Sequence, residues 1–137
     1  MEPLPSATLA GLTPRDVEIR FYDDRMEQIP YDEPTDLVAM SVDTYTAKRA
    51  YQIASEYRRR GVPVVMGGFH PTLCPDETLD FADAVVVGEA EGLWPTALDD
   101  FRHRRTSSTT PWARWWLAAW ACGLESAASL WASSPEP

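Results

Sequence analysis

The sequence predicts an α/β fold, a doubly wound parallel sheet covered by helices. Two apolar runs carry this prediction, Val-Pro-Val-Val-Met over residues 62–66 and Ala-Val-Val-Val over residues 84–87. Valine runs without polar alternation are typical of strands buried on both faces, as in parallel sheets. Strand and helix signals also alternate along the first hundred residues, the pattern of right-handed β-α-β crossovers.

The first third of the chain predicts a helix, a strand, a loop and a second strand. A weak helix over residues 4–12 ends before Thr13-Pro14, because a residue preceding proline avoids helical geometry. Residues 17–22 alternate apolar and polar side chains, which predicts a strand with one partly wet face. Residues 29–36 contain two prolines and predict a loop, and the apolar residues 37–42 predict a buried strand.

The strongest helix signal covers residues 46–60 and ends at Gly61. Five residues fall at helical spacing on one of its faces: Ala47, Ala50, Tyr51, Ala54 and Tyr57. After the strand at residues 62–66, the pattern predicts a short helix over residues 75–81, a strand over residues 84–87 and a closing helix over residues 92–101.

The chain opens on Met-Glu-Pro-Leu-Pro, where a doubly wound domain usually has an apolar strand. If the strand order is flavodoxin-like, the strand that is lacking would be the central one. Its loss would remove two ladders of hydrogen bonds, each bond contributing about 0.5–1.5 kcal/mol.

Gly67 and Gly68 follow the buried strand at residues 62–66 and predict a binding site. Two residues without side chains let a ligand approach the backbone, and open α/β sheets bind ligands at the carboxyl ends of their strands. The net charge of −9 argues against a nucleic-acid partner. The two cysteines, Cys74 and Cys122, match no zinc or iron-sulfur spacing, so we assign no metal ligands.

Residues 34–101 resemble the cobalamin-binding domain that precedes the catalytic barrel in many radical S-adenosylmethionine enzymes. Three segments carry the resemblance: Ala-Met-Ser-Val-Asp-Thr at 39–44, Gly-Gly-Phe-His-Pro-Thr-Leu-Cys-Pro-Asp-Glu at 67–77, and Ala-Asp-Ala-Val-Val-Val-Gly-Glu-Ala-Glu-Gly-Leu-Trp-Pro at 82–95. Residues 16–24 fit the second strand of that domain, so the resemblance covers about residues 3–102.

The resemblance implies a flavodoxin-like fold that holds cobalamin against the carboxyl ends of the strands, with the cofactor's nucleotide tail beside the sheet. By this match, Ser41 lies near the tail, Gly67 and Gly68 let it pass, and Gly88 and Glu89 lie near the corrin ring. The complete set of cofactor-binding candidates is Ser41, Val42, Asp43, Thr44, Gly67, Gly68, His70, Gly88 and Glu89.

Two family motifs are absent from these 137 residues. The Asp-x-His-x-x-Gly motif that supplies an axial histidine is missing, so no cobalt ligand is named. The Cys-x-x-x-Cys-x-x-Cys motif of the iron-sulfur cluster is missing too, so the cluster and S-adenosylmethionine are expected only in full-length relatives. We expect no catalytic residues here, an accessory role in cobalamin binding, and a separate radical S-adenosylmethionine barrel as a partner.

Two other hypotheses about function stay open beside cobalamin binding. Asp23, Asp24 and Asp43 would lie at carboxyl ends of strands and could hold Mg²⁺, as in a flavodoxin-like signalling or interaction module without cobalamin. For these three aspartates, helix capping and solvation of loops is the simplest interpretation. The other hypothesis is that the chain is a non-functional truncated fragment. We expect a cytoplasmic protein without a membrane partner.

The composition changes near His103, which divides the chain into an α/β domain over residues 1–103 and a tail over residues 104–137. Five of the six tryptophans lie at or after Trp112, and only Glu125 and Glu136 are acidic after Asp100. Irregular structure or a short helix is expected for the tail. Out-of-frame sequence is preferred there over an interfacial membrane helix, because a polar helix face is almost absent.

Overall fold

The computed structural model describes the backbone of residues 4–106 and 115–118. Its sheet has four parallel strands that lie side by side in chain order. The strands are β1 (Val38–Ser41), β2 (Val64–Gly67), β3 (Ala84–Val87) and β4 (Trp115–Ala118). Three of them were predicted, and the open parallel sheet confirms the flavodoxin-like α/β class.

The helices connect these strands and match most of the predicted segments. They are α1 (Leu4–Leu12), α2 (Ala47–Arg59), α3 (Phe69–Leu73), α4 (Pro75–Leu79) and α5 (Trp94–Thr106). A single 3-10 turn, Thr44–Thr46, precedes α2. The short helix α3 was not predicted, because five residues that include a proline carry no helical period.

The hydrophobic core lies between the sheet and the helix α2. Buried Ile53, Ala54 and Tyr57 of α2 pack over Val64 and Met66 of β2, which are both 0% exposed. Val85 of β3 joins the same cluster. The helical spacing of the α2 side chains explains this packing, since residues three and four apart share one face of a helix.

The helix α5 packs against α1 instead of joining the α2 cluster. Trp94 and Leu98 of α5 are buried, yet neither belongs to the core around α2. The indole Nε1 of Trp94 donates a hydrogen bond of 2.8 Å to Thr13 Oγ1, just after α1. This bond ties the two ends of the domain together.

The predicted strand at residues 17–22 is wrong, because these residues form no ladder with the sheet. Ile19 and Phe21 of this stretch are 49% and 53% exposed. A strand is stable only with a hydrogen-bonded neighbour, and in flavodoxin order the neighbour of this segment would be the central strand. Within the described residues, no strand lies beside this segment.

Four residues of the tail form β4, parallel to β3 in the register Ala84↔Trp115 to Val87↔Ala118. The expectation of irregular structure or a helix is therefore wrong for residues 115–118, because the outer edge of β3 offers a ladder to this segment. Other tail residues, from 107 to 114 and from 119 onwards, lie outside the described part of the chain. No helix in the described part combines the length and apolar character needed to cross a bilayer.

Candidate functional site

The carboxyl ends of β1 and β2 bring the central candidate residues together. Ser41 lies opposite Gly67 in the parallel register. The backbone N–H of Val42 donates to the carbonyl of Gly67 at 2.9 Å, and the N–H of His70 donates to the carbonyl of Val42 at 3.0 Å. Segments 26 residues apart in sequence thus meet at one edge of the sheet, as the prediction required.

The end of β3 joins the same edge through α3. The backbone N–H of Gly88 donates to Thr72 Oγ1 at 3.0 Å, and Gly88 has a φ of +86°. Glu89 is exposed beside it. On the β1 side, the Asp43 N–H donates to Thr46 Oγ1 at 3.1 Å, which starts the 3-10 turn with Thr44 exposed.

Of the two glycines, Gly68 is required by the protein's own backbone. Gly68 has a φ of +106°, and a Cβ there would lie 3.0 Å from both N and O of Val42 and 3.2 Å from Ser41 Oγ. A Cβ on Gly67 would lie 3.4 Å from Cβ of Val86. Close packing of β1 against the loop after β2 therefore explains Gly68 without any ligand. Approach of a ligand to this backbone stays a prediction.

A large open cleft lies between β1 and residues 16–24. Its volume is about 1610 Å³, and all four residues of β1, Val38 to Ser41, line it. Val38 and Met40 pack against the core, so the alternation of a strand turns Ala39 and Ser41 to the opposite face. Apolar residues of two helices also line it, Ala50, Ile53 and Tyr57 from α2 and Leu98 and Phe101 from α5, together with eleven charged residues.

Ser41 is the candidate that the cleft presents most directly. Its side chain is exposed and hydrogen-bonds to none of the described residues. Asp43 also lines the cleft, whereas Gly67, Gly68, His70, Gly88 and Glu89 do not. The candidates therefore share one sheet edge but fall into a cleft group and a group around the ends of β2 and β3.

His70 lies in the interior, away from the cleft. Its side chain is 8% exposed, and its Nε2 lies 2.9 Å from the hydroxyl of Tyr51. The same hydroxyl donates to Glu77 Oε1 at 3.0 Å, and burial raises the pKa of Tyr51. Nδ1 of His70 has no hydrogen-bond partner among the described residues. The ring thus contacts α2 and α4 and does not face the cleft.

Carboxylates near this edge are paired with arginines. The guanidinium of Arg25 contacts Asp23 at 2.6 Å and, with its backbone N–H, lowers the pKa of Asp23 to about 2. Arg49 contacts Asp24 at 2.7 Å and lowers its pKa as well. Within the described residues, no group of three His, Cys, Asp or Glu side chains could hold a metal ion. This arrangement gives no support to the hypothesis that these carboxylates bind Mg²⁺.

Three large apolar side chains around this edge were not identified from the sequence. Tyr45, Phe69 and Leu73 are 69%, 64% and 61% exposed. They follow β1 and β2 directly in the chain, so their position after strand ends was the available signal. A ligand bound at this edge could cover them, although single exposed apolar residues are common on protein surfaces.

The part of the chain that carries this geometry is similar to known proteins. The family model described as B12 binding domain matches residues 6–98. Bacteriochlorophyllide d C-8(2)-methyltransferase of Chlorobaculum tepidum is 44% identical over 98 residues, which are 71% of this chain and 22% of the relative. Bacteriochlorophyllide d C-12(1)-methyltransferase of the same organism is 35% identical over 108 residues, 77% of this chain and 24% of the relative.

The chain therefore spans about a quarter of the length of these curated relatives. No solved structure matches it. The matched residues include every candidate from Ser41 to Glu89, the sheet edge and the cleft lining except Phe101 and Arg102.

Proposed function

Since the chain belongs to the B12-binding domain family, we propose that it holds cobalamin as the accessory domain of a radical S-adenosylmethionine methyltransferase. Cobalamin is the cofactor that the family match indicates. The proposal places the cofactor at the carboxyl edge of the sheet, which is the edge where open α/β sheets bind ligands.

The cleft beside Ser41 is the observation that carries the proposal. The nucleotide tail of cobalamin joins an apolar aromatic base to a polar ribose phosphate. Leu98 and Phe101 supply apolar lining for the base, and the exposed hydroxyl of Ser41 is free to hydrogen-bond to the polar part. The residues present therefore fit the chemistry of the tail.

The corrin ring would lie over the strand ends. Phe69 and Leu73 would cover its apolar surface, and the backbone around Gly68 and Gly88, with Glu89, would contact the polar amides at its rim. Asp43 and Thr44 would border the ring on the β1 side, whereas Val42 is 1% exposed and belongs to the core beneath it. His70 would support the loop after β2 through its contact with Tyr51.

Bound cobalamin would supply a carrier for a methyl group. The residues of this chain would bind and orient it, while the chemistry takes place elsewhere. The iron-sulfur motif is not among these 137 residues, so the radical barrel would be contributed by polypeptide outside them, in the same protein or as a separate chain. The names of the relatives suggest a bacteriochlorophyllide or a related tetrapyrrole as the methyl acceptor.

A titration with hydroxocobalamin tests the proposal. The full chain should bind one equivalent, change the visible spectrum of the corrinoid and co-elute with it on gel filtration. Absence of binding by a protein with a cooperative thermal transition would contradict the proposal and favour the signalling or interaction module. Absence of both binding and a transition would identify a non-functional fragment.

A pair of variants at Ser41 tests the position of the tail. Ser41→Ala removes one hydrogen bond and should weaken binding by no more than about tenfold. Ser41→Leu adds three carbon atoms on the cleft face and should weaken binding much further. The side chain is exposed, so circular dichroism should show both variants folded. Equal affinity of the two variants would contradict a tail in this cleft.

A further inference from the structure

The outer edge of β1 carries unpaired backbone groups. The N–H of Val38 donates to the carbonyl of Pro63 at 3.0 Å, and the N–H of Val42 donates to the carbonyl of Gly67 at 2.9 Å. Every second residue of β1 therefore turns its backbone N–H and C=O groups towards β2. In a parallel ladder the residues between them point their N–H and C=O groups the other way. Ala39 and Ser41 therefore present these groups to the cleft. Within the described residues, β1 pairs with β2 alone.

The opposite wall of the cleft, residues 16–24, is held in place by side chains. Asp16 contacts Arg102 of α5 at 2.9 Å, and Asp24 contacts Arg49 of α2 at 2.7 Å. Between them, the hydroxyl of Tyr22 donates to Glu33 at 2.8 Å. This wall thus stands apart from β1 and leaves its own apolar side chains, Ile19 and Phe21, half exposed.

The space between the two walls is large enough to hold a β-strand. Six residues at 3.3 Å each, with about 4.8 Å between strands and about 10 Å between packed layers, occupy on the order of 950 Å³. The cleft offers about 1610 Å³, which leaves room on the α5 side. Its lining includes apolar residues of two helices, Ile53 and Tyr57 of α2 and Leu98 and Phe101 of α5.

The charges around the cleft define the flanks of the segment that would fit. Seven carboxylates line it, from Asp16, Glu18, Asp23, Asp24, Glu33, Asp36 and Asp43. Only four guanidinium groups line it, from Arg20, Arg25, Arg49 and Arg102. The excess of negative charge favours lysine or arginine next to the apolar core of an incoming segment.

We propose that the cleft binds an extended apolar segment of another polypeptide, flanked by basic residues, as a β-strand added to the edge of β1. The added strand would accept and donate hydrogen bonds at Ala39 and Ser41 and would cover Ile53 and Tyr57 on the α2 side, which leaves the α5 side of the cleft to the cofactor's tail. A second copy of this chain fits less well, because its own β1 edge stands behind its own wall of residues 16–24. Two copies would also bring like charges together.

A synthetic peptide tests this proposal in the absence of cobalamin, so its outcome is separate from that of cofactor binding. The probe is a fluorescein-labelled peptide with six alternating valine and leucine residues between lysine pairs. Fluorescence anisotropy with the full chain should show saturable binding with one-to-one stoichiometry. A peptide N-methylated at alternate residues, which lacks the donors of one edge, should bind at least tenfold more weakly.

A matched pair at Ala39 locates the binding. Ala39→Pro removes the N–H that faces the cleft, while the ladder to β2 is kept, and it should weaken peptide binding at least tenfold. Ala39→Ser keeps the N–H and should stay within about twofold of the unaltered chain. In hydrogen exchange, the amides of Ala39 and Ser41 should become protected when the peptide is bound.

The proposal is overturned if the folded chain does not bind the peptide, or if Ala39→Pro binds it as well as Ala39→Ser. It is also overturned if gel filtration shows a dimer of the unaltered chain and a monomer of Ala39→Pro, since the cleft would then be filled by a second copy.

Discussion

At the scale of single residues, two positions with positive φ require glycine for different reasons. Gly61 ends α2 with a φ of +79°, and nothing lies within 4 Å of the place where its Cβ would be. Gly68 has a φ of +106°, and its Cβ would come within 3.0 Å of Val42 backbone atoms. Gly61 is thus needed only for its conformation, whereas Gly68 also allows two segments of the site to touch.

Alanine substitutions should distinguish the cost of the backbone conformation from the cost of the close contact. Gly61→Ala should lower the free energy of unfolding by about 1–2 kcal/mol, the cost of a left-handed residue. Gly68→Ala should cost more, because strain of about 1–3 kcal/mol is joined by displacement of the Val42 backbone. Urea denaturation of both variants measures the difference. Equal losses would mean that the loop after β2 relaxes without cost.

At the scale of elements, β2 is the strand on which the packing of the fold depends. It lies between β1 and β3, and its residues Val64 and Met66 are completely buried. The apolar run that predicted this strand is also the one whose end forms the site. Stability and site geometry are therefore coupled through β2.

The two methionines Met66 and Met26 test this dependence. Met66→Ala leaves a cavity under α2 and should cost about 2–5 kcal/mol in the free energy of unfolding. Met26 is 85% exposed, and Met26→Ala should change it by no more than about 0.5 kcal/mol. Thermal or urea denaturation compares them. A loss below about 1 kcal/mol for Met66→Ala would show that β2 is not tightly packed.

At the scale of the whole molecule, paired carboxylates dominate the response to acid. Arg59 and Arg60 lower the pKa of Glu56 to about 2, and Arg25 does the same for Asp23. A carboxyl group whose pKa is lowered on folding stabilises the protein above its ordinary pKa and loses that effect as pH falls to the lowered value. The relevant window lies between the ordinary value of 4.5 for Glu56, or 3.8 for Asp23, and about 2.

We therefore expect the free energy of unfolding to fall as pH decreases from about 4.5 towards 2. Glu56→Gln should lower stability slightly at pH 7 and should reduce the size of the acid-induced loss. The effect should be small because the ion pairs are exposed and screened by solvent. Urea denaturation at several pH values checks this. If the free energy of unfolding depended on pH in the same way for the variant and the unaltered chain, the ion pairs of Glu56 would not contribute to the acid-induced loss of stability.

The sequence alone was sufficient for the elements that carry their own signal. Apolar runs without polar alternation predicted β1, β2 and β3, and the helical spacing of five residues predicted α2. Because the strands are parallel, their carboxyl ends had to meet at one edge, so the grouping of Ser41, Gly67 and Gly88 also followed from the sequence. The family resemblance, and with it the cofactor, rested on the same residues.

Only the tertiary structure decided the state of residues 17–22, the direction of His70 and the shape of the cleft. A strand pattern becomes a strand only when a neighbour supplies hydrogen bonds, and this segment has none in the described chain. His70 turns towards Tyr51, and Gly68 meets Val42, through contacts between distant segments. Local patterns determine what each segment can form, whereas the space between segments depends on which partners are present.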